Sequence, residues 1–409
     1  MSGTARWSIL WRHGLIAGGA AAALAVAMPA AAATPDDMSP AAPASTIEGR
    51  WSAEAVAALA KVIAGAGDEG LDPADYDLSA LRRQMARGTG PALDRLASAS
   101  ALTLARDYYF GRVRDRSAMG WMIARPDYEA KQLPDRLDAA VRDGTLAAFY
   151  AALLPADPRY AALRAALADA PDPAIRDRIR ANMERWRWMP RRLGDDYLYV
   201  NVPSYRLQLV KGGTTRATYD VVVGARDMPT PLLASLSSSL VVNPWWNVPT
   251  SIVRRSNMRP GTPGFEFRRT ADGWAVRQPP GPRNALGRIK LNLVNDQAIY
   301  LHDTPAKSAF ARADRALSHG CIRVRNIRQL AGELMQGGDG DGGALLDAAL
   351  AQSATRTLAL PRTWQVYIVY FTLDSAPSGG DLERYGDPYG YDDMVIKALD
   401  GGTAEVASG

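Results

Sequence analysis

The stretch Asn182-Met183-Glu184-Arg185-Trp186-Arg187-Trp188-Met189-Pro190 divides the chain into two textures. Upstream of it, apolar residues recur at helical spacing: Ser52 can cap a run carrying Val56, Leu59, Val62 and Ile63, and the glycines at 65–70 end it. Further helices are expected over residues 94–110, 134–154, 158–168 and 172–188, with Pro134 in the first position of its helix. Downstream, short alternating or apolar runs at 197–202, 205–211, 218–224, 239–243, 274–278, 289–293, 298–301 and 364–373 lie between Gly, Pro, Asn and Asp, the pattern of strands. Lys211-Gly212-Gly213-Thr214 suits a tight hairpin, since both glycines can take positive φ. One helix is expected within this half, over 326–335, with Asn326 as its cap and Gln329 at the third position. The fold class is therefore α+β and multidomain: an all-helical domain over 50–180, a mostly β domain over 181–395 and a tail over 396–409.

Residues 1–33 read as a cleaved secretory signal. Arg6 and Arg12 precede an uncharged run of small and apolar residues, and Ala31-Ala32-Ala33 fits a cleavage site. The apolar run is short against the ~20 residues that span a bilayer. Residues 34–49, rich in Pro, Ala and Ser, read as a flexible leader. Without the signal, 46 basic residues face 43 acidic ones, and no dense Lys/Arg block suggests a nucleic-acid partner.

Beyond residue 33 the chain holds one cysteine and two histidines, all between His302 and Cys321. They lie in Tyr300-Leu301-His302-Asp303-Thr304 and Ser318-His319-Gly320-Cys321. A lone thiol cannot form an internal disulfide, and in an oxidising compartment it is a liability unless it reacts. The thiolate is the nucleophile, and a thiol titrating near ~8.5 needs an imidazolium or aligned amides to ionise at neutral pH. In extended backbone His319 shares a face with Cys321, whereas His302 reaches it only through the fold. Gly320 relaxes the steric limits on the turn, so the amides of Gly320 and Cys321 can converge on one oxyanion. Pairing with an imidazolium predicts alkylation by iodoacetamide well below about pH 8.

A histidine, fifteen residues, then Ser-His-Gly-Cys and a hydrophobic residue resembles the signature of the YkuD-domain L,D-transpeptidases, which remodel bacterial peptidoglycan. Val200-Asn201-Val202-Pro203, Asn243-Pro244-Trp245-Trp246-Asn247-Val248-Pro249, Asn284-Ala285-Leu286-Gly287 and the dividing stretch itself are similar to runs in the large, scaffolded, Gram-negative (YcbB-like) subgroup. Gly70-Leu71-Asp72-Pro73-Ala74-Asp75-Tyr76 and Tyr109-Phe110-Gly111-Arg112-Val113 resemble that subgroup's scaffold domain. The subgroup's small peptidoglycan-binding module has no counterpart here, because only residues 168–180 separate the two parts.

The resemblance implies roles residue by residue. Cys321 would attack the carbonyl at the L-centre of a donor stem peptide, expelling the D-amino acid behind it. His302 would be base and acid, oriented by the backbone carbonyl of Asp303. His319 would buttress the site, and the amides of Gly320 and Cys321 would hold the oxyanion. An amine of an acceptor stem would then take the acyl group, giving 3-3 or 1-3 cross-links, or water would, giving a carboxypeptidase. The implied setting is the periplasm, with no cofactor or metal and with carbapenem β-lactams as covalent inhibitors. Segments 251–283 and 303–317 would form a lid, as the family's capping region does.

Four further residues are candidates for contact with substrate. Arg323 shares the face of Cys321 in an extended segment, and its planar fork suits a carboxylate; a structural ion pair is the alternative, as it is for Arg325. Ser318 can hydrogen-bond within the loop. Trp246 and Asn247, beside Trp245, offer a contact surface at a sheet end, with at least one of the two Trp expected in the core. Rival readings are a papain-like peptidase, which places its cysteine upstream of the histidine, a zinc site on Cys321, His302 and His319, and a non-catalytic wall-binding protein.

Overall fold

A computed structural model describes residues 51–124, 131–271, 273–337 and 341–401. The expected signal segment, the leader and residues 402–409 of the expected tail lie outside these residues. Among the described residues no helix is long and apolar enough to cross a membrane.

The first half is helical: α1 (Ala53–Ala64), α2 (Leu78–Met85), α3 (Pro91–Phe110), α4 (Leu133–Arg142), α5 (Leu146–Leu153), α6 (Pro158–Asp169) and α7 (Pro173–Trp188). Ser52 caps α1 by accepting from the Ala55 amide at 3.1 Å, and Val56, Leu59 and Ile63 are buried on one stripe. The single helix expected over 134–154 is two, because Gly144 breaks it at φ 66°. Only Ala170, Pro171 and Asp172 separate α6 from α7, which leaves no room for an intervening module. The helix α7 runs unbroken across residue 180, where composition had placed the domain boundary.

The second half is built of β1 (Tyr197–Asn201), β2 (Arg206–Lys211), β3 (Thr214–Gly224), β4 (Ala234–Val242), β5 (Trp246–Val248), α8 (Thr250–Arg255), β6 (Glu266–Thr270), β7 (Gly273–Gln278), β8 (Ile289–Leu291), β9 (Leu301–His302), β10 (Ala316–Ser318), β11 (Ile322–Val324), α9 (Ile327–Leu334), α10 (Gly342–Ala351), β12 (Arg356–Val369), β13 (Leu373–Ala376), β14 (Gly379–Arg384) and α11 (Tyr391–Leu399). Nine strands form one sheet in the order β10-β3-β11-β9-β8-β4-β12-β1-β2, and β2 also pairs with β3, so the order returns on itself. The β2–β3 hairpin turns at Gly212 and Gly213, with φ 57° and 69°. Of the strand expected at 364–373, residues 364–369 are the second half of β12 and Leu373 opens β13; Pro361, which lacks an N–H, falls within the register break of β12.

The two expected lid segments differ. Residues 251–283 hold α8 and, with β5, the three-stranded sheet β5-β7-β6, a small cap of its own. Residues 303–317 hold a short 3-10 helix at Lys307–Ala311, and their side-chain bonds run to the β2–β3 side of the sheet. Tyr205 donates to Asp314 at 2.8 Å and Arg315 pairs with Asp220 at 3.4 Å. At the far end α11 takes residues 396–399 out of the expected tail.

The two halves share one core, and α7 is its joint, with Asn182 through Trp188 all buried. Arg187 pairs with Glu184 at 2.9 Å, and Glu184 also accepts from the Val113 amide at 2.8 Å and the Trp188 indole at 3.1 Å. Arg185 pairs with Asp392 at 2.6 Å, while Trp186 stacks on Phe371 with ring centroids 4.9 Å apart.

Candidate active site

The site grows from the register of three strands. In β9, Leu301 pairs with Leu291 of β8 and Ile322 of β11, and all three point into the core. The neighbouring residues alternate to the other face: His302 stands opposite Lys290 on one side and Arg323 on the other. Tyr300, two residues before His302, joins this face, its ring centroid 5.5 Å from the imidazole and 4.4 Å from the Lys290 ammonium.

Cys321 lies just before β11 and is half-buried, with its Sγ–H donating to the Ala298 carbonyl at 3.5 Å. That carbonyl is aimed by a positive-φ turn at Ala298. Asn295 ties the turn down, accepting from the Gln297 and Ile299 amides and donating to the Ile299 carbonyl. Burial raises the thiol above its ordinary pKa; hydrogen bonds from the Tyr300 backbone and phenol, then the charges of Lys290 and Arg323, oppose it.

His302 is buried, 5% exposed, and its Nδ1–H donates to the Asp303 carbonyl. A carbonyl can only accept, so the proton sits on Nδ1 and Nε2 keeps its lone pair. Burial, aided by Arg323 and Lys290, pushes the imidazole pKa down to about 3. The resting pair at neutral pH is thus thiol and neutral imidazole, not the expected thiolate and imidazolium. The Asp303 carbonyl thus faces the imidazole, while its carboxylate turns away, accepting from the Arg288 amide at 3.0 Å and pairing with Lys307.

The nucleophile loop departs from expectation at one amide. Ser318 is 2% exposed; its Oγ–H donates to the Cys321 carbonyl at 2.6 Å and its oxygen accepts from the Gly320 N–H at 3.2 Å. The Gly320 amide, one of the pair expected to hold an oxyanion, is therefore engaged inside the loop. Gly320 takes φ 105°, which L side chains rarely adopt. Its carbonyl accepts from Thr230 Oγ1 at 2.7 Å.

The remaining candidates divide. Arg323 is half-buried on the face of the thiol. His319 is exposed; burial first, then the Arg255 and Arg323 charges, lower its pKa, so its neighbours include the cap helix α8. Arg325 pairs with Asp220 at 3.1 Å, the structural alternative. Asn326 holds the position before α9 at φ 55° but makes no side-chain cap bond, a conformation Asn tolerates. Trp245 and Trp246 are both half-buried, so neither is core. Burial, opposed by Trp246, raises the Tyr300 phenol well above its ordinary pKa, so Trp246 of the cap is among the neighbours of Tyr300. Asn247 is exposed and lines a cavity of about 650 Å³ with Phe267, Trp274 and Arg277. Sequence reasoning missed Tyr300, Lys290 and Asn295 as site residues. The two-residue spacing of Tyr300 and His302 in one strand was the available signal for the first. Among the described residues, no three His, Cys, Asp or Glu side chains gather as metal ligands would.

Residues 195–341 match the family model of the YkuD L,D-transpeptidase catalytic domain, and residues 47–167 match that of the scaffold domain. The first match falls in the β half of the chain and the second in its helical half. It is 28% identical over 324 residues to a Haemophilus influenzae protein named "Putative L,D-transpeptidase", an overlap of 70% of this chain and 64% of that protein's length. Of solved structures, L,D-transpeptidase 1 of Mycobacterium tuberculosis shares 12% identity over 43% of this chain and 61% of its own, with a TM-score of 0.21. An L,D-transpeptidase from Mycobacterium smegmatis shares 11% over 42% and 58%, with a TM-score of 0.24. At such scores neither overlap adds weight to the site.

Proposed function

We infer that the protein is a peptidoglycan L,D-transpeptidase working through a Cys321 thioester. The observation that carries this reading is the half-buried thiol on one sheet face with a buried neutral imidazole whose Nδ1 proton is fixed on the Asp303 carbonyl and whose Nε2 makes no hydrogen bond among the described residues. In the first half-reaction Nε2 of His302 takes the thiol proton as sulfur bonds to the carbonyl carbon at the L-centre. The Cys321 amide and the Tyr300 phenol stabilise the charge that develops. Collapse breaks the C–N bond, and the departing amine of the D-residue takes its proton from His302. An acceptor amine then gives a proton to His302 and attacks the thioester, which forms the cross-link and returns the proton to sulfur. Water in place of the amine gives an L,D-carboxypeptidase. Donor and acceptor are stem peptides, and the expected signal at 1–33 places the work in the periplasm.

The test is incubation with a carbapenem followed by intact mass. One adduct per chain is expected on the protein and none on Cys321→Ala. No adduct on the folded protein would sink this reading. Muropeptides released from the wall of a strain expressing the protein then distinguish 3-3 from 1-3 cross-links.

A further inference from the structure

The three fully buried arginines are each answered by a carboxylate: Arg187 by Glu184, Arg185 by Asp392, Arg159 by Asp157. Lys290 and Arg323 are not answered in this way. Both are half-buried, they flank His302 across β8, β9 and β11, and among the described residues neither pairs with a carboxylate. Each has its pKa lowered by burial, and the Cys321 thiol is the one acidic group that opposes the shift. Lys290 rests over the Tyr300 ring at 4.4 Å, which holds the ammonium without neutralising it. Two uncompensated cations on a half-buried face cost stability unless an anion arrives from outside.

The reaction inferred above, on which this inference rests, supplies such an anion. When the leaving D-residue ends the donor stem, its carboxylate is two bonds from the departing nitrogen. That places it within reach of groups that already act on the thiol. We propose that Lys290 and Arg323 together receive this carboxylate, and that Lys290 distinguishes a donor ending at the leaving residue from one that continues as an amide. Arg323 presents a planar fork to both oxygens, whereas Lys290 adds a point charge from the far side of His302. Once the carboxylate has left, the same two charges disfavour an ammonium and favour the neutral amine that the second half-reaction needs.

The experiment uses the full chain and two synthetic stem peptides, one ending in the free carboxylate of the D-residue and the other in its C-terminal amide. Acylation of Cys321 is followed by intact mass. The protein is expected to prefer the carboxylate donor by roughly tenfold or more. Lys290→Gln lowers that ratio severalfold, Arg323 keeping the rest, and Lys290→Arg restores most of it. Equal rates in the unaltered protein, or a ratio unchanged in a folded Lys290→Gln, overturn the carboxylate receptor and leave the transpeptidase reading standing. Acylation by neither peptide, with Cys321 still alkylated by iodoacetamide, overturns the function and this inference with it.

Discussion

The Cys321 thiol sits between opposing influences, burial raising its pKa while Tyr300, Lys290 and Arg323 pull it down. His302, held neutral to about pH 3, is a base in waiting rather than a cationic partner. Alkylation by iodoacetamide should therefore climb with pH toward the thiol's raised pKa and show no plateau near about pH 6, where a thiolate–imidazolium pair would react fully. A rate already constant between about pH 6 and 8 would contradict this geometry. The lone cysteine and its distant histidine were legible from residue type and spacing alone. The charge state was not, because it depends on Arg323 and Lys290 reaching His302 from two strands that sequence could not pair. The engagement of the Gly320 amide by Ser318 was equally invisible, since it depends on which way the loop turns.

At the scale of elements, the short strands β8, β9 and β11 carry Lys290, His302 and Arg323, with Tyr300 and Cys321 just before two of them, so small shifts in one strand reach the chemistry. Gly287, just before β8, takes φ 58°, and a Cβ there would come within 2.4 Å of the Asp303 carboxylate. Gly287→Ala should displace Asp303, whose carbonyl orients His302, and lower kcat/KM roughly tenfold or more with a smaller change in thermal midpoint. Steady-state kinetics beside a melting curve checks it, and unchanged kinetics would remove Asp303 from the positioning of the base. Most long elements were readable from periodicity, including α1, α3, α7 and the β2–β3 hairpin. Strands of two or three residues such as β9, β10 and β11 were blurred, because so short a run has no period of its own and is defined by its neighbours.

At the largest scale the described residues of the helical and β halves fall in one compact unit, and heating should give one cooperative transition. Glu184→Gln leaves Arg187 charged and buried at the joint and should cost about 3–5 kcal/mol, read as a shift of that single transition. Two resolved transitions in the unaltered protein would mean that α7 does not couple its halves. A pH effect belongs at this scale too. The folded His302 titrates near 3, below its unfolded value of about 6.5, so the unfolded chain binds the proton first. Its contribution to stability is fully present above about pH 6.5 and is lost as pH falls toward about 3. Asp107 and Asp374, both raised to about 6 by burial, act in the opposite sense: their contributions are present below about pH 3.9 and lost as pH rises through about 6. The difference between the protein and His302→Gln isolates the imidazole. Acidification from pH 6.5 should move the thermal midpoints in favour of the variant, by up to ~1.4 kcal/mol per pH unit.

The brace behind the nucleophile loop comes from far along the chain. Thr230 donates to the Gly320 carbonyl, the Thr230 amide donates to Tyr389 Oη at 3.1 Å, and Tyr389 donates to the Gly224 carbonyl at 2.7 Å, with α11 following directly. A ribosome delivers Cys321 long before it delivers Tyr389. The nascent chain therefore carries an unbraced nucleophile until Tyr389 has emerged, and the reactive geometry is assembled only after it.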